Sequence, residues 1–342
     1  MNAQRGFGLI ELMIAITLGL ILSTAIIQVF LASRTSYQLQ ESLSMIQENA
    51  RFGMHFMGRE VRMAGYMGCN SVGNIDVNVI AKPATYAADF VPVKGEDDVG
   101  AGHTLGAVEG TDTIQILRGG DGSVRLTGNL APNNANVQIE DNTYSIAKGD
   151  YVLISDCTSA DIFRVTNTPK ESGKGTATLT HSKGNDWNTS NRLSKIYGGD
   201  AEVFGFEVTH FFVRDTGRDT AGGRPVLSLY SQQRPTGSGG SMAAAVELVE
   251  GVENLQIVYG LDTDNDRAID SYADASAVTD WQQVVSAKLE LTLVANDEGV
   301  VGRTGSVDAQ SVYDSSGQLL SNTDGRMRQV FSSVFAIRNR LP

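Results

Sequence analysis

Cysteine, histidine and positive charge are scarce in this chain, and each shortage removes a class of function. Of 342 residues two are cysteine, Cys69 and Cys157, and four are histidine. Neither cysteine belongs to a C-x-x-C pair, so thiol redox catalysis and a structural zinc site lack support. His55, His103, His181 and His210 are scattered without ligand spacing. His55 in a helical stretch and His210 in a strand run read as structural. A Walker A loop, a Rossmann glycine set, H-E-x-x-H and a nucleophile elbow are all missing, and the chain reads as no enzyme. Lys and Arg number 27 against 39 Asp and Glu, a net charge of −12. That argues against nucleic acid as a partner, because phosphate binding needs a basic face. An acidic surface suits solubility, or a cationic or metal partner. Seven prolines against 37 glycines point to many tight turns rather than disorder.

One long apolar run is present, and it lies at the N-terminus: MNAQRGFGLIELMIAITLGLILSTAIIQVFLAS. A short polar leader ends in Arg5-Gly6, and one acid, Glu11, follows. From Leu12 to Ala32 no residue is charged. At a rise of ~1.5 Å per residue that run is about 31 Å of helix, enough for a hydrocarbon core of roughly 30 Å. A secretory signal peptide would have a shorter apolar core and a small-residue cleavage site. A plain anchor would fit the length but leave Glu11 unexplained, since an acid at membrane depth costs roughly 2.5–3.5 kcal/mol and normally has a partner or a role.

The segment G-F-G-L-I-E-L-M resembles the type IV prepilin signal, a short basic leader, cleavage after glycine, Phe at the new N-terminus and Glu at its fifth position. The resemblance implies that a prepilin peptidase cuts after Gly6 and methylates the amine of Phe7. It also implies that Glu11 serves filament assembly by neutralising a neighbouring subunit's amine in a helix bundle, where a buried charge is tolerated because it is paired. Gly8 departs from the pattern, where many members carry Thr.

The helix should continue past the membrane. Leu39, Leu43, Ile46, Ala50, Gly53, Met57, Val61 and Ala64 recur at steps of three and four, one face of a helix. A single helix over about Phe7–Ala64 is expected, apolar all round in its first half and amphipathic in its second, stopped by the glycines of Gly65–Cys69. Gly53 and Gly58 read as bends or as points of close contact with a sheet. Beyond residue 70 the signal is of strands: Thr113–Leu117, Tyr151–Ser155, Ile162–Thr166, Thr176–Thr180, Glu202–Val213, Val226–Tyr230, Glu247–Tyr259, Ala287–Ala295 and Val330–Arg338, separated by turn residues. Thr216–Arg224 and Pro235–Ser241 read as flexible loops, Asp97-Asp98 as a solvated pair, and Tyr197–Asp200 as a sub-boundary. The expected fold is α+β: a long N-terminal helix packed on an antiparallel sheet head. The expected parts are a leader over 1–6, a membrane and filament-core helix over 7–32, its amphipathic continuation over 33–65 and a head over 66–342.

The C-terminal third carries V-E-x-x-Q-x-x-Y-G-x-D, W-x-x-V and F-x-x-x-x-x-x-R-N-R. These blocks resemble the PilW family of minor type IV pilins. That family implies a structural subunit that helps start pilus assembly and sits in a tip complex with other minor pilins. Its implied partners are the prepilin peptidase, the other minor and major pilins and a large tip adhesin. The implied location is the inner membrane of a Gram-negative bacterium, single-pass with a periplasmic head, and then the pilus. A J-type pseudopilin of type II secretion shares this architecture, and an anchored periplasmic binding protein stays open beside it.

Two further sites follow from residue types. With the head outside the cytoplasm, a Cys69–Cys157 disulfide is the default. Closing a loop of about ninety residues would stabilise by roughly 4–5 kcal/mol, although two buried free thiols would also be stable. In DTDNDRAIDSYAD, Asp262, Asp264, Asp266 and Asp270 place carboxylates at alternating positions, as a hard cation such as Ca²⁺ prefers. An EF-hand is excluded, because Arg267 stands where its glycine belongs and Ala273 where its last acid belongs. A looser calcium loop and a plain acidic turn are both compatible with this stretch.

Overall fold

The computed structural model describes residues 8–69, 75–82, 91–127, 134–303, 305–306, 309–314, 317–320 and 322–340. Helix α1 (Leu9–Met63) runs unbroken for 55 residues. It is followed by β1 (Asp76–Val79), β2 (Val93–Glu96), β3 (Thr113–Arg125), β4 (Asn136–Ile139), β5 (Tyr151–Ser155), β6 (Ser159–Arg164), β7 (Ala177–Thr180) and β8 (Glu202–Asp219). Then come β9 (Pro225–Arg234), β10 (Val246–Glu250), β11 (Val252–Leu261), β12 (Ser271–Asp274), β13 (Val284–Val294), β14 (Val312–Tyr313), β15 (Leu319–Leu320) and β16 (Arg328–Ala336). The architecture is α+β, a long helix on a sheet head.

The head holds two main sheets. The larger runs β1-β6-β5-β8-β3-β2, with β9 and β10 added beside the far half of β8. It is mixed rather than wholly antiparallel, since β1 lies parallel to β6. The smaller, β12-β11-β13-β16, is antiparallel throughout. The expected single run Glu247–Tyr259 is divided between the two sheets. Gly251 at φ 79° breaks it, because β10 must end on β9 before β11 turns onto β13; a left-handed residue there suits glycine.

Helix α1 packs through its second half only. Ser42, Ile46, Ala50, Gly53, Met57, Gly58, Glu60 and Val61 are buried, while Leu39 on the same stripe is exposed because the head does not reach it. The covering residues come from both sheets, among them Leu229, Val249, Leu291 and Phe335. Gly53 and Gly58 mark close approach: a Cβ on Gly58 would stand 2.3 Å from Cε1 of Phe335, and one on Gly53 3.3 Å from Leu291. A second core fills the space between β5, β6 and the β4–β7 pair, around Val137, Ile154, Phe163 and Tyr197.

Two expected loops are ordered instead. Strand β8 extends to Asp219, which pairs with Pro225, so most of Thr216–Arg224 is a hairpin end. In Pro235–Ser241 the N–H groups of Gly237, Gly239 and Gly240 donate to the buried Asp150 carboxylate at 2.7, 2.7 and 3.2 Å. Small residues let three donors converge on one anion. Tyr197 is no boundary, for its hydroxyl donates to the buried Asp161 at 2.6 Å. Asp97 accepts from Ser276 at 2.8 Å, so of that pair only Asp98 is fully exposed.

Candidate functional site

The apolar half of α1 is the first element of the site. Every residue from Gly8 to Tyr37 is exposed, covered by nothing in its own chain. Its hydroxyls are satisfied locally: Thr17 donates to Ile14 O at 2.9 Å, Thr24 to Leu20 O at 2.8 Å and Thr35 to Leu31 O at 3.1 Å. Such back-bonding lets a threonine sit in lipid without an orphan donor. Glu11 accepts from the Gly8 N–H at 2.9 Å, satisfying one free donor of the first turn. Gly6 and Phe7 lie outside the described residues.

The second element is the joint between helix and head. Gly65 at φ 71° ends the helix as a left-handed cap, and its N–H donates to Leu117 O at 2.8 Å. Asn339 Nδ2 reaches back to the last carbonyls, Ala64 O at 3.0 Å and Met63 O at 3.4 Å. The R-N-R block therefore caps α1 from the other end of the chain. One turn earlier, Glu60 and Arg118 are only 2% and 6% exposed and meet at 3.1 Å. Arg118 also binds Asp121 at 2.7 Å and faces Glu207 at 3.7 Å. Burial pulls the Arg118 pKa down, but the carboxylates of Glu60, Asp121 and Glu207 outweigh it and the net shift is upward. Burial raises the Glu207 pKa, with Arg118 opposing. Sequence reading missed Glu60, which follows Met57 by three positions and so falls on the edge of the apolar stripe; that placement was the available signal.

The disulfide lies at the same joint. Cys69 and Cys157 are bonded, with Cα atoms 5.4 Å apart, tying the segment after α1 to the turn between β5 and β6.

The C-terminal blocks form the smaller sheet and its clasp. Arg328 donates to Glu253 through Nε and Nη2, at 2.7 and 2.9 Å, and to Asp324 through Nη1 and Nη2, at 2.8 and 3.0 Å. Burial raises the Asp324 carboxyl, yet Arg328 and Arg326 hold it far below the usual carboxylate range. Gln256 donates to Gly110 O at 3.1 Å. Tyr259 meets Trp281 edge to face, centroids 4.9 Å apart.

Of the aspartate run, Asp262, Asp264 and Asp270 come together, with one oxygen of each within 4.8 Å of the others. Asp266 is not in this group; its Oδ1 accepts from Ala268 N at 2.8 Å. Hydrogen bonds from the Thr263 hydroxyl and N–H depress the Asp270 pKa. The histidines are less scattered than their spacing implied, because His103 and His210 line one cavity of about 240 Å³ with Glu96 and Gln115. His103 Nε2 lies 3.0 Å from Glu96, and burial pushes the His210 pKa down to about 4.

Comparison with known proteins divides along the same lines. Residues 210–339 match the family described as Type IV Pilus-assembly protein W, covering β9 to β16. Residues 1–27 match the Prokaryotic N-terminal methylation motif. No curated relative matches in sequence. Among solved structures, a type IV-like pilin from Thermus thermophilus is similar over 40% of this chain and 80% of that chain, at 13% identity and a TM-score of 0.22. With the methylation motif on the exposed half of α1 and the PilW match on the sheets that grip its other half, the chain is similar at both ends to the PilW-type minor pilins.

Proposed function

We propose that this subunit helps initiate type IV pilus assembly and stays in a tip complex with other minor pilins. One observation carries the reading: α1 is wholly uncovered from Gly8 to Tyr37, the uncharged run Leu12–Ala32 included, while the head grips it only from Ser42 onward. A helix half of that kind needs lipid first, as in the inner membrane of a Gram-negative cell, and then other helices. Transfer from one to the other is what pilus assembly requires of a subunit. In the separate subunit Glu11 is occupied by the Gly8 N–H. In a bundle the methylated amine of a neighbour's Phe7 takes that place, and a charged pair forms where lipid was. The joint at Glu60–Arg118, Asn339 and Cys69–Cys157 keeps the head aligned with the helix as the subunit is lifted out. The head then presents its edges to neighbouring minor pilins, to the major pilin below and to a tip adhesin.

The test is the intact mass of the membrane-extracted protein from cells with and without prepilin peptidase. Loss of Met1–Gly6 with one added methyl, only when the peptidase is present, is the expected result. Glu11→Ala should leave cleavage intact and abolish incorporation into the pilus. Normal piliation with Glu11→Ala, or an uncut N-terminus in both strains, would overturn the reading. Capture of secretion pseudopilins in place of minor pilins would move the subunit to the type II secretion system.

A further inference from the structure

The loop between β11 and β12 has a feature that neither sheet packing nor filament assembly explains. Asp262, Asp264 and Asp270 bring three carboxylates to within 4.8 Å, where like charges repel. The loop's own donors already take part of their capacity. Arg267 N donates to Asp262 Oδ2 at 2.9 Å, Asp266 N to Asp264 Oδ1 at 3.1 Å, and Thr263 N to Asp270 Oδ2 at 2.7 Å. A second observation is independent of the clustering. Asp262 is only 5% exposed, and its Oδ1 is buried without a hydrogen-bond partner. A buried carboxylate oxygen with no donor carries its full desolvation penalty, so something must compensate it. Arg340 lies near enough for Asp262 and Asp280 to offset part of the burial that lowers its pKa. Its Nη2, however, donates to Gln282 at 2.8 Å.

We propose that Asp262, Asp264 and Asp270 bind one calcium ion, with Asp262 Oδ1 as the inner ligand. The donors are all hard oxygens on an irregular loop. Ca²⁺ accepts six to eight such ligands in flexible geometry, whereas Mg²⁺ demands a near-ideal octahedron. The ion would neutralise the cluster and satisfy the buried oxygen in one step. Its effect reaches the sheet, because Asp262 N donates to Gln283 O at 2.9 Å and Asp270 N to Leu261 O at 2.9 Å. Those two bonds tie the loop to the Trp281–Gln283 turn and to the end of β11, so a bound ion pins β12 to the open edge of the smaller sheet. This site does not depend on the pilus reading.

The experiment uses the full chain in detergent micelles, stripped with EGTA and titrated with CaCl₂ or MgCl₂, followed by calorimetry and thermal unfolding. One Ca²⁺ per chain is expected, with a dissociation constant in the roughly 10⁻⁴–10⁻³ M class of extracellular modules. The melting temperature should rise with calcium, and Mg²⁺ should bind at least tenfold more weakly. Asp264→Asn combined with Asp270→Asn should weaken calcium binding at least tenfold. Folding is controlled within the same series: in EGTA the double variant should still unfold in one cooperative step, and calcium should raise its melting temperature by less than it raises the parent's. Absence of saturable binding up to about 10 mM calcium, far above that class, overturns the proposal. So does an unchanged calcium titration in the double variant, and an equal response to Mg²⁺ overturns the choice of ion.

Discussion

Replacing Arg118 with methionine tests whether the buried charge joins helix to head. At 3.1 Å and an effective dielectric of about 20, the Glu60–Arg118 attraction is about 5 kcal/mol before desolvation is subtracted. Asp121 is 82% exposed and adds at most about 1 kcal/mol. Arg118→Met leaves Glu60, 2% exposed, with Arg59 alone, whose side chain is 60% exposed. Removing one partner of a buried pair costs about 3–5 kcal/mol, and that loss is expected here. Glu60→Leu in the same chain removes the stranded carboxylate, so the double variant should return to within about 1 kcal/mol of the parent or exceed it. Urea unfolding of the detergent-solubilised protein gives the three midpoints, and an unchanged m-value certifies that only stability moved. A single-variant loss below about 1 kcal/mol, or a double variant equal to the sum of the singles, would refute the reasoning.

Other consequences are measurable on the same protein. Gly58→Ala drives a methyl into the Phe335 ring, 2.3 Å from Cε1, and should destabilise by about 1–3 kcal/mol; adding Phe335→Leu should recover part of that in the same urea assay. Cys69→Ser with Cys157→Ser should lower stability by about 2–5 kcal/mol, and a reductant should act on the parent but not on the variant. Burial lowers the His181 pKa to about 4 from 6.5. The folded state therefore binds fewer protons than the unfolded one between those values. About 3 kcal/mol of stability is present in full above pH 6.5 and lost as the pH falls toward 4. His181→Phe should flatten that acid limb. Burial raises the Asp112 pKa to about 7, against N–H donors from Asp98 and Ile257. Its contribution runs the other way, full below about pH 4 and lost as the pH rises through 7. The difference between parent and His181→Phe isolates the histidine, because Asp112 is common to both.

Legibility followed the range of the interactions. Helix α1 was readable to within two residues at each end, Leu9–Met63 against an expected Phe7–Ala64, because a 3.6-residue period and a glycine stop are local signals. Strand β5 was equally plain, a short apolar run over Tyr151–Ser155, whereas β13 begins at Val284, three residues before the expected Ala287. Gly251 was not, since nothing local distinguishes a glycine inside a strand from one where the chain changes sheets. The glycine-rich Pro235–Ser241 tract looked mobile because composition cannot reveal that Asp150, far away in the chain, collects its N–H groups.

Sequence alone determined the prepilin-type N-terminus, a helix with an all-apolar half and a stripe-bearing half, and the C-terminal blocks that resemble the PilW family. Each of these rests on residue order within a few turns or strands. Tertiary structure decided which partners those residues meet: Asn339 on the helix end, Arg118 on Glu60, Arg328 on Glu253, and the pooling of Asp262 with Asp264 and Asp270 but without Asp266. Each of those meetings depends on where the sheets carry distant segments. A buried ion pair or cap needs a donor and an acceptor from two distant segments brought to about 3 Å, and no periodicity in one segment encodes the position of the other.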